Sequence, residues 1–481
     1  MKVLHIFLGL WMLVCLSCSG FLDEVDQDKF IPSTTDHYAS VLLEEFNKEP
    51  GIMPDVAFMT DEIQELESSF ASSSYRNSML PIYTWQRDIE RTFENEQVGN
   101  NTSWGRLYRN IAIVNYVIEQ IDDATGTEAE RDYVKGEAYF IRAYCYFSLT
   151  NLYAEPYRSA AGAEVTMGVP LRTDIGVVPT YDRAMLSDNY RQIEEDLGEA
   201  IRLIGNSGLE KSIYHPTVAA CRLLLSRVQL FQKKYDDVIT TATGVMEVTG
   251  LKKLTAGSAS QPFITKANPE VLYSFGGNSN SAGVFGTTIQ RFGFETHQEL
   301  LGRFPENDLR KSLFFMPITD KSNYTGYFTR KMEAGYSSLA WINFRAAEAW
   351  LNRAEAYACR GRIGEAQADI RALMENRYST LEGVTIPSEQ QALIRFIRDE
   401  RFKEFCFEEH FRWFDLRRME EDERPEIVHI CSDVDESGKK VGKNTYRLLK
   451  NDPNYTLSVP EQEKANNPFI YDYERFDKMP E

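Results

Sequence analysis

Aromatic rings set among amides and one arginine are the sequence's most suggestive chemistry. Tyr75 and Trp85 precede the long helical patterns, and Phe285, Phe292, Tyr324, Tyr327, Tyr336 and Trp341 are scattered through a stretch rich in Gly, Ser, Asn and Thr. Asn278, Asn280, Asn323 and Arg330 lie among the latter. A ring offers an apolar face to C–H groups, while amide and guanidinium groups reach the hydroxyls around them. The combination suits a polyhydroxylated ligand. Tyr324 and Tyr327, flanked by Asn, Thr and Gly, are expected at the surface. Trp85, in the run Tyr83-Thr84-Trp85, and Trp341, at an expected helix start, are the members of the set that core packing would claim first.

Other chemistries are poorly served. No phosphate-cradling glycine loop, HExxH or G-x-S-x-G occurs, and the histidines (5, 37, 215, 297, 410, 429) are too scattered for an evident metal site. No cofactor is expected. With 72 Asp and Glu residues, acidic pairs carry no information; a glycoside-cleaving enzyme would need two carboxylates about 5 to 10 Å apart in an open cleft. A net charge of −19 argues against nucleic acid, whose binders present basic faces.

The elements that must carry these residues are helical. In Arg345 to Arg377, Ala347, Trp350, Leu351, Ala354, Tyr357 and Ala358 line one helix face; Gly361 ends that helix, and Ile363, Ala366, Ile370 and Leu373 line a return helix. Small residues at Ala354, Ala358 and Ala366 permit close approach, as in a tetratricopeptide hairpin. One such hairpin cannot bury its own apolar face. His215 to Val248 repeats the pattern, and Gly136 to Tyr153 supplies a further helix whose expected partner is Leu107 to Ile121. The reading is an all-α dominated fold: an α-solenoid of tetratricopeptide-like helix pairs with a large loop-rich layer and few short strands. Glu270 to Phe275 is the one strand expected in that layer. From Glu389 to Met419 acids and bases alternate at helical spacing, which reads as a structural salt-bridge network including His410.

At the N-terminus Lys2 precedes an apolar run from Val3 to Leu16, and Ser17, Cys18, Ser19 and Gly20 follow. This pattern predicts a signal peptide over 1–17 and lipidation of Cys18, with a polar tether over 18–40. A helical region over 41–250 and a second region over 251–481 follow, the latter divided into loop-rich 251–340, helical 341–419 and an extended tail 420–481, packed as one unit. The cysteines after Cys18 show no metal-ligand spacing and are expected mostly as small buried hydrophobes.

Motifs spread along the chain resemble the SusD/RagB family of surface nutrient-binding lipoproteins of Bacteroidetes. They include Cys18 with Phe21-Leu22-Asp23; Trp104-xxx-Tyr108 with Asn115; Glu137 to Ala143 leading to Tyr153 and Pro156; and Gly168-Val169-Pro170-Leu171. Further on come Asn268-Pro269-Glu270-Val271; Arg345-xx-Glu348; Glu400-Arg401-xx-Glu404-Phe405; Arg412-Trp413-Phe414-Asp415-Leu416; and Val459-Pro460-xx-Glu463 with Asn467-Pro468. Glu409 replaces a usual Gly, Phe405 a Leu, Ser458 a Pro and Ala154 a Gly; all are scaffold positions. The resemblance implies an outer-membrane lipoprotein facing outward, without catalytic activity. It would capture oligosaccharides, or peptides in some members, for a SusC-like TonB-dependent transporter. It also implies a ligand site in the two zones that hold the aromatics above, though no ligand residue carries over by motif. A protein-binding helical scaffold is the remaining alternative.

Overall fold

The computed structural model describes residues 31–48, 51–66, 74–99, 101–176, 180–257, 262–278, 293–319, 323–332, 339–435 and 439–481. Cys18, Asn280, Phe285, Phe292 and Tyr336 lie outside them, and of Asn278 only the backbone is described. Helices α1 (Thr35–Asn47), α2 (Ser74–Tyr83), α3 (Ser103–Gln120), α4 (Glu128–Tyr153) and α5 (Leu186–Ser207) lead into two hairpins. These are α6 (Val218–Phe231) with α7 (Tyr235–Met246), and α8 (Ala347–Cys359) with α9 (Ile363–Glu375). Helices α10 (Gln390–Phe405) and α11 (Phe411–Arg418) follow. The fold is all-α dominated, as the helical spacing predicted.

Local signals start and stop these helices. Thr127 and Glu130 form a reciprocal capping box at the start of α4, with bonds of 3.2 and 2.8 Å. Gly361 takes φ +73° and turns the chain from α8 into α9. The hairpins then stack: Ala356 of α8 is buried against Leu230 of α6 and Val238 of α7, and Asn352 donates to the Ser226 hydroxyl at 3.0 Å. The expected partner of α4 is present in α3, but α5 flanks α4 as well. Arg142 of α4 joins all three, donating to both oxygens of Asp196 (2.9 and 2.6 Å) and to Asn115 (2.9 Å).

The loop-rich layer holds more strand than expected. Strands β1 (Ile63–Glu65), β2 (Val271–Asn278), β3 (Phe294–Thr296), β4 (Phe315–Thr319), β5 (Thr325–Thr329), β6 (Ala340–Arg345), β7 (Ile427–Val434) and β8 (Lys440–Leu448) form the antiparallel pairs β1–β3, β2–β6, β4–β5 and β7–β8. Periodicity hid them for identifiable reasons. Strand β6 is buried on both faces and shows no alternation, and β4 carries Pro317. Trp341 therefore lies in a buried strand, not at a helix start. The tail is likewise not simply extended, because β7 and β8 make a ribbon within it.

Buried charge fastens the layer to the helices. Arg345, at the end of β6, donates to Glu270 (3.0 Å), Glu404 (2.9 Å) and Glu408 (2.8 and 2.7 Å). Arg377 reaches Glu270 and Glu404, and Arg310 reaches Asp308, Glu400 and Glu404. Burial opposes ionisation of Glu404, but the guanidinium groups of Arg377, Arg345 and Arg310 prevail and hold its carboxyl well below the usual range. The alternating charges of 389–419 are thus structural, as expected: Arg401 and Arg418 both pair with Asp415, and Arg398 with Glu355.

Between α10 and α11 the chain breaks through Phe407 (φ +56°) and Glu409 (φ +44°), a conformation that disfavours side chains. The family's usual glycine at position 409 fits that backbone without strain. Here Glu409 accepts from Arg227 at 2.9 Å instead, and burial pushes its carboxyl up to about 7. Cys145, Cys221, Cys406 and Cys431 are buried free thiols, and Cys359 is half-buried. Among the described residues no helix is long and apolar enough to cross a membrane.

Candidate binding clefts

The two aromatic zones of the sequence meet at one strand pair. Gln64 of β1 stands opposite Glu295 of β3, so both side chains share a face, and the Gln64 amide donates to Glu295 Oε1 at 3.0 Å. Phe294 faces the other way and packs its ring edge-on to Phe58 and Tyr83, with centroids 4.9 and 4.8 Å away. The Tyr324 hydroxyl also donates to Glu295 Oε1, and the Tyr327 backbone N–H donates to Oε2 at 3.2 Å. Glu295 is fully buried and ties β1, β3 and β5 together. Gly326 makes this possible: a Cβ there would stand 2.8 Å from Glu295 Oε2.

A cleft of about 510 Å³ opens on one side of this wall, between Gln64, Glu65, Tyr83 and His297 and the β7–β8 ribbon with Ile430, Ser432, Lys440 and Lys443. Glu65 Oε2 accepts from Arg76 (2.9 Å) and from the Ser432 backbone (2.8 Å), which anchors the ribbon to α2. Lys440 Nζ lies 3.9 Å from Glu65 Oε1. Beneath the cleft His429 is sandwiched between Tyr83 and Trp85, at centroid distances of 4.0 and 4.3 Å. Its ring nitrogens face the carbonyls of Tyr83 (2.6 Å) and Thr60 (3.0 Å). Burial outweighs both carbonyls and brings its pKa down to about 4, so the ring is neutral and donates to one of them at a time.

A second cleft, of about 390 Å³, lies by the β4–β5 hairpin and brings together Tyr327, Arg330, Lys311, Phe315, Pro305 and Pro317. The Arg330 backbone donates to Phe314 at 2.8 Å, and its guanidinium bonds the Ser312 carbonyl. Asn323, exposed at the hairpin's tip, takes φ +63°, a conformation asparagine tolerates better than most residues.

The expected site residues therefore divide. Tyr327 and Arg330 share a cleft, and Tyr75 is exposed at 61% in the first turn of α2, next to Arg76. Tyr324 and Tyr327 are both half-buried rather than exposed and pack against the core, and the Tyr324 hydroxyl is also drawn to Glu295. Trp85 and Trp341 are core residues with no face to offer; the Trp85 indole donates to the Met59 carbonyl at 2.9 Å. Sequence reasoning missed Gln64, Glu65, Tyr83, Glu295, Lys440 and Lys443, whose convergence depends on pairings between distant segments. It also missed a larger cavity, of about 940 Å³, lined by Gln97, Asn101, Trp104, Arg106, Glu461 and Gln462 among others. Trp104 there is buried and edge-packed on Tyr153, so its ring is not displayed. Among the described residues no cluster of His, Cys, Asp or Glu is arranged to hold a metal ion.

Stacked helical hairpins supporting an irregular layer with polar clefts define a helical-repeat scaffold. The chain belongs to the SusD/RagB family. Residues 20–230 match a SusD-like family described as "starch-binding associating with outer membrane", and residues 307–474 match the SusD family. Among solved structures, a SusD-like carbohydrate binding protein from Bacteroides vulgatus is 19% identical with a TM-score of 0.68, over 91% of this chain and 98% of that one. A SusD superfamily protein from Bacteroides thetaiotaomicron is 18% identical with a TM-score of 0.69, over 92% and 100%. Another from Bacteroides vulgatus reaches a TM-score of 0.70 at 17% identity, over 92% and 99%. Among curated proteins none matches.

Proposed function

We propose that this protein captures glycans at the cell surface and passes them to a TonB-dependent outer-membrane transporter, without chemistry of its own. Lipidated Cys18 would hold it to the outer leaflet through the segment before α1, which begins at Thr35, inside the 18–40 stretch expected as tether. The observation that carries the reading is the wall built on Glu295, which joins two segments of the chain and is flanked by clefts offering Tyr327, Gln64 and Arg330. A rigid scaffold displaying such groups suits recognition of a hydroxyl-rich ligand. The family's description as starch-binding supports a saccharide, and so does the name of the carbohydrate-binding relative.

Calorimetric titration of the chain from Ser19 onward against oligosaccharides and peptides tests it. Saccharide binding without turnover is expected, and Tyr327→Ala should cost about 1–3 kcal/mol of affinity. Turnover of a bound saccharide, or binding of peptides alone, would overturn the reading.

A further inference from the structure

The cavity of about 940 Å³ shares no lining residue with the two clefts of the Glu295 wall, and distant segments tie its sides together. On one side the chain doubles back where the Thr92 N–H donates to the Glu96 carbonyl at 2.8 Å, and the start of α3 follows. On the other stands a short helix, Glu461–Asn466. Arg91 of the hairpin donates to both Glu461 oxygens, at 3.3 and 3.0 Å, and Glu90 accepts from the Glu461 backbone at 2.9 Å. The Asn101 amide donates to the Ser458 carbonyl at 3.2 Å. Glu90 and Glu461 are thus engaged in holding the sides together, and Arg106 acts on the Asp55 carboxyl.

Other groups lining the cavity are polar and uncommitted. The side chains of Gln97, Thr102, Gln462, Glu463 and Asn466 bond no other described residue. Thr102 precedes α3, yet its hydroxyl does not cap the helix. At Gly99 and Gly105 an added Cβ would meet nothing within 4 Å, so the backbone lies bare there. Amides donate and accept, as hydroxyls do, and a carboxylate can take two neighbouring hydroxyls at once. The same segments carry two exposed rings, Phe93 in the hairpin's turn and Phe469 just after the short helix, at 52% and 90%. Such rings offer an apolar face to sugar C–H groups. Among the described residues Arg106 is the only cation lining the cavity, and Glu463 is an acid, so an anionic ligand is disfavoured. We propose that this cavity is a second glycan site, taking an uncharged oligosaccharide independently of the clefts beside Glu295. The proposal rests on the glycan-capture reading. Two sites on one body would hold a long polymer by avidity, because the second contact is made within the complex.

Calorimetric titration and hydrogen exchange of the chain from Ser19 onward, with maltoheptaose, xylohexaose, mannohexaose, trigalacturonate and hexaglutamate, test it. A neutral oligosaccharide is expected to slow exchange at 101–106 and 460–466 as well as around the Glu295 wall. Gln97 and Gln462 are exposed, so Gln97→Ala/Gln462→Ala should leave melting unchanged. It should weaken binding at the cavity about tenfold, the scale of two lost hydrogen bonds, and relieve protection there while the wall stays protected. Tyr327→Ala should do the reverse. Protection at the wall alone, or cavity protection that the double variant leaves intact, would overturn the proposal and leave glycan capture standing. Protection at the cavity alone, relieved by the double variant, would uphold this site and overturn the wall as the place of capture. Cavity binding of trigalacturonate or hexaglutamate in preference to every neutral saccharide would overturn the proposal, and silence with all saccharides would overturn both readings.

Discussion

Gln64 and Glu295, 231 positions apart, meet across an antiparallel strand pair with amide and carboxylate 3.0 Å apart. Because Tyr324 and the Tyr327 backbone bond the same carboxylate, Glu295 holds the β4–β5 hairpin in register with β1 and β3. Glu295→Ala should release β1 and the β4–β5 hairpin together. A loss of about 1–3 kcal/mol is expected from the orphaned polar groups, with weakened ligand binding. Tyr324→Phe removes one bond of the same set and should cost about 1–2 kcal/mol of stability. Denaturant unfolding measures both; a Tyr324→Phe protein as stable as the parent would remove Glu295 from this role.

Glu404 bears the heaviest structural charge. Arg310, Arg345 and Arg377 all converge on it in the protein interior. Glu404→Gln leaves those guanidinium groups short of an anion, and a loss of about 3–5 kcal/mol is expected from a broken buried pair. A melting temperature within a degree or two of the parent would show that the network tolerates the loss.

Glu62, one residue before β1, gives the stability a pH dependence. Its oxygens accept from the Phe407 backbone (2.7 Å) and the Thr60 hydroxyl (2.9 Å), but burial dominates and pushes its carboxyl up to about 7. A carboxyl raised from 4.5 holds its proton more tightly when folded. Its contribution is complete below pH 4.5 and is lost as pH rises through 7, by on the order of 3 kcal/mol. Glu409, also raised to about 7, acts in the same direction. Glu62→Gln should flatten the decline between pH 4.5 and 7; an unaltered slope would assign it to other groups.

How far the sequence carried this account depends on the range of the interactions. The hairpins were legible because helical spacing is local: Ala354, Ala358 and Ala366 lie buried as their positions implied, and Gly361 turns where expected. That spacing supplied the fold class, and the resemblance supplied the family. The clefts were not legible, since Glu295 shows no neighbour in sequence that marks it as a keystone. Strand β7 alternates, with Ile427, His429 and Cys431 buried, but Ile430 faces the cleft side and blurs the pattern. Tyr324 and Tyr327 look alike in sequence, and only the hairpin's position over Glu295 separates a tethered ring from one lining a cleft.

Anchoring is tested separately at Cys18, which lies outside the described residues. Cys18→Ala should leave the chain uncleaved at that site and unlabelled by radioactive palmitate. Ordinary lipidation and surface display of this variant would contradict the assignment.

The most direct measurement is hydrogen exchange with and without a saturating oligosaccharide. Slowed exchange is predicted at 63–66, 294–297, 324–330 and in strands β7 and β8, around the Glu295 wall. Protection confined to 101–106 and 460–466, around the cavity of about 940 Å³, would contradict it.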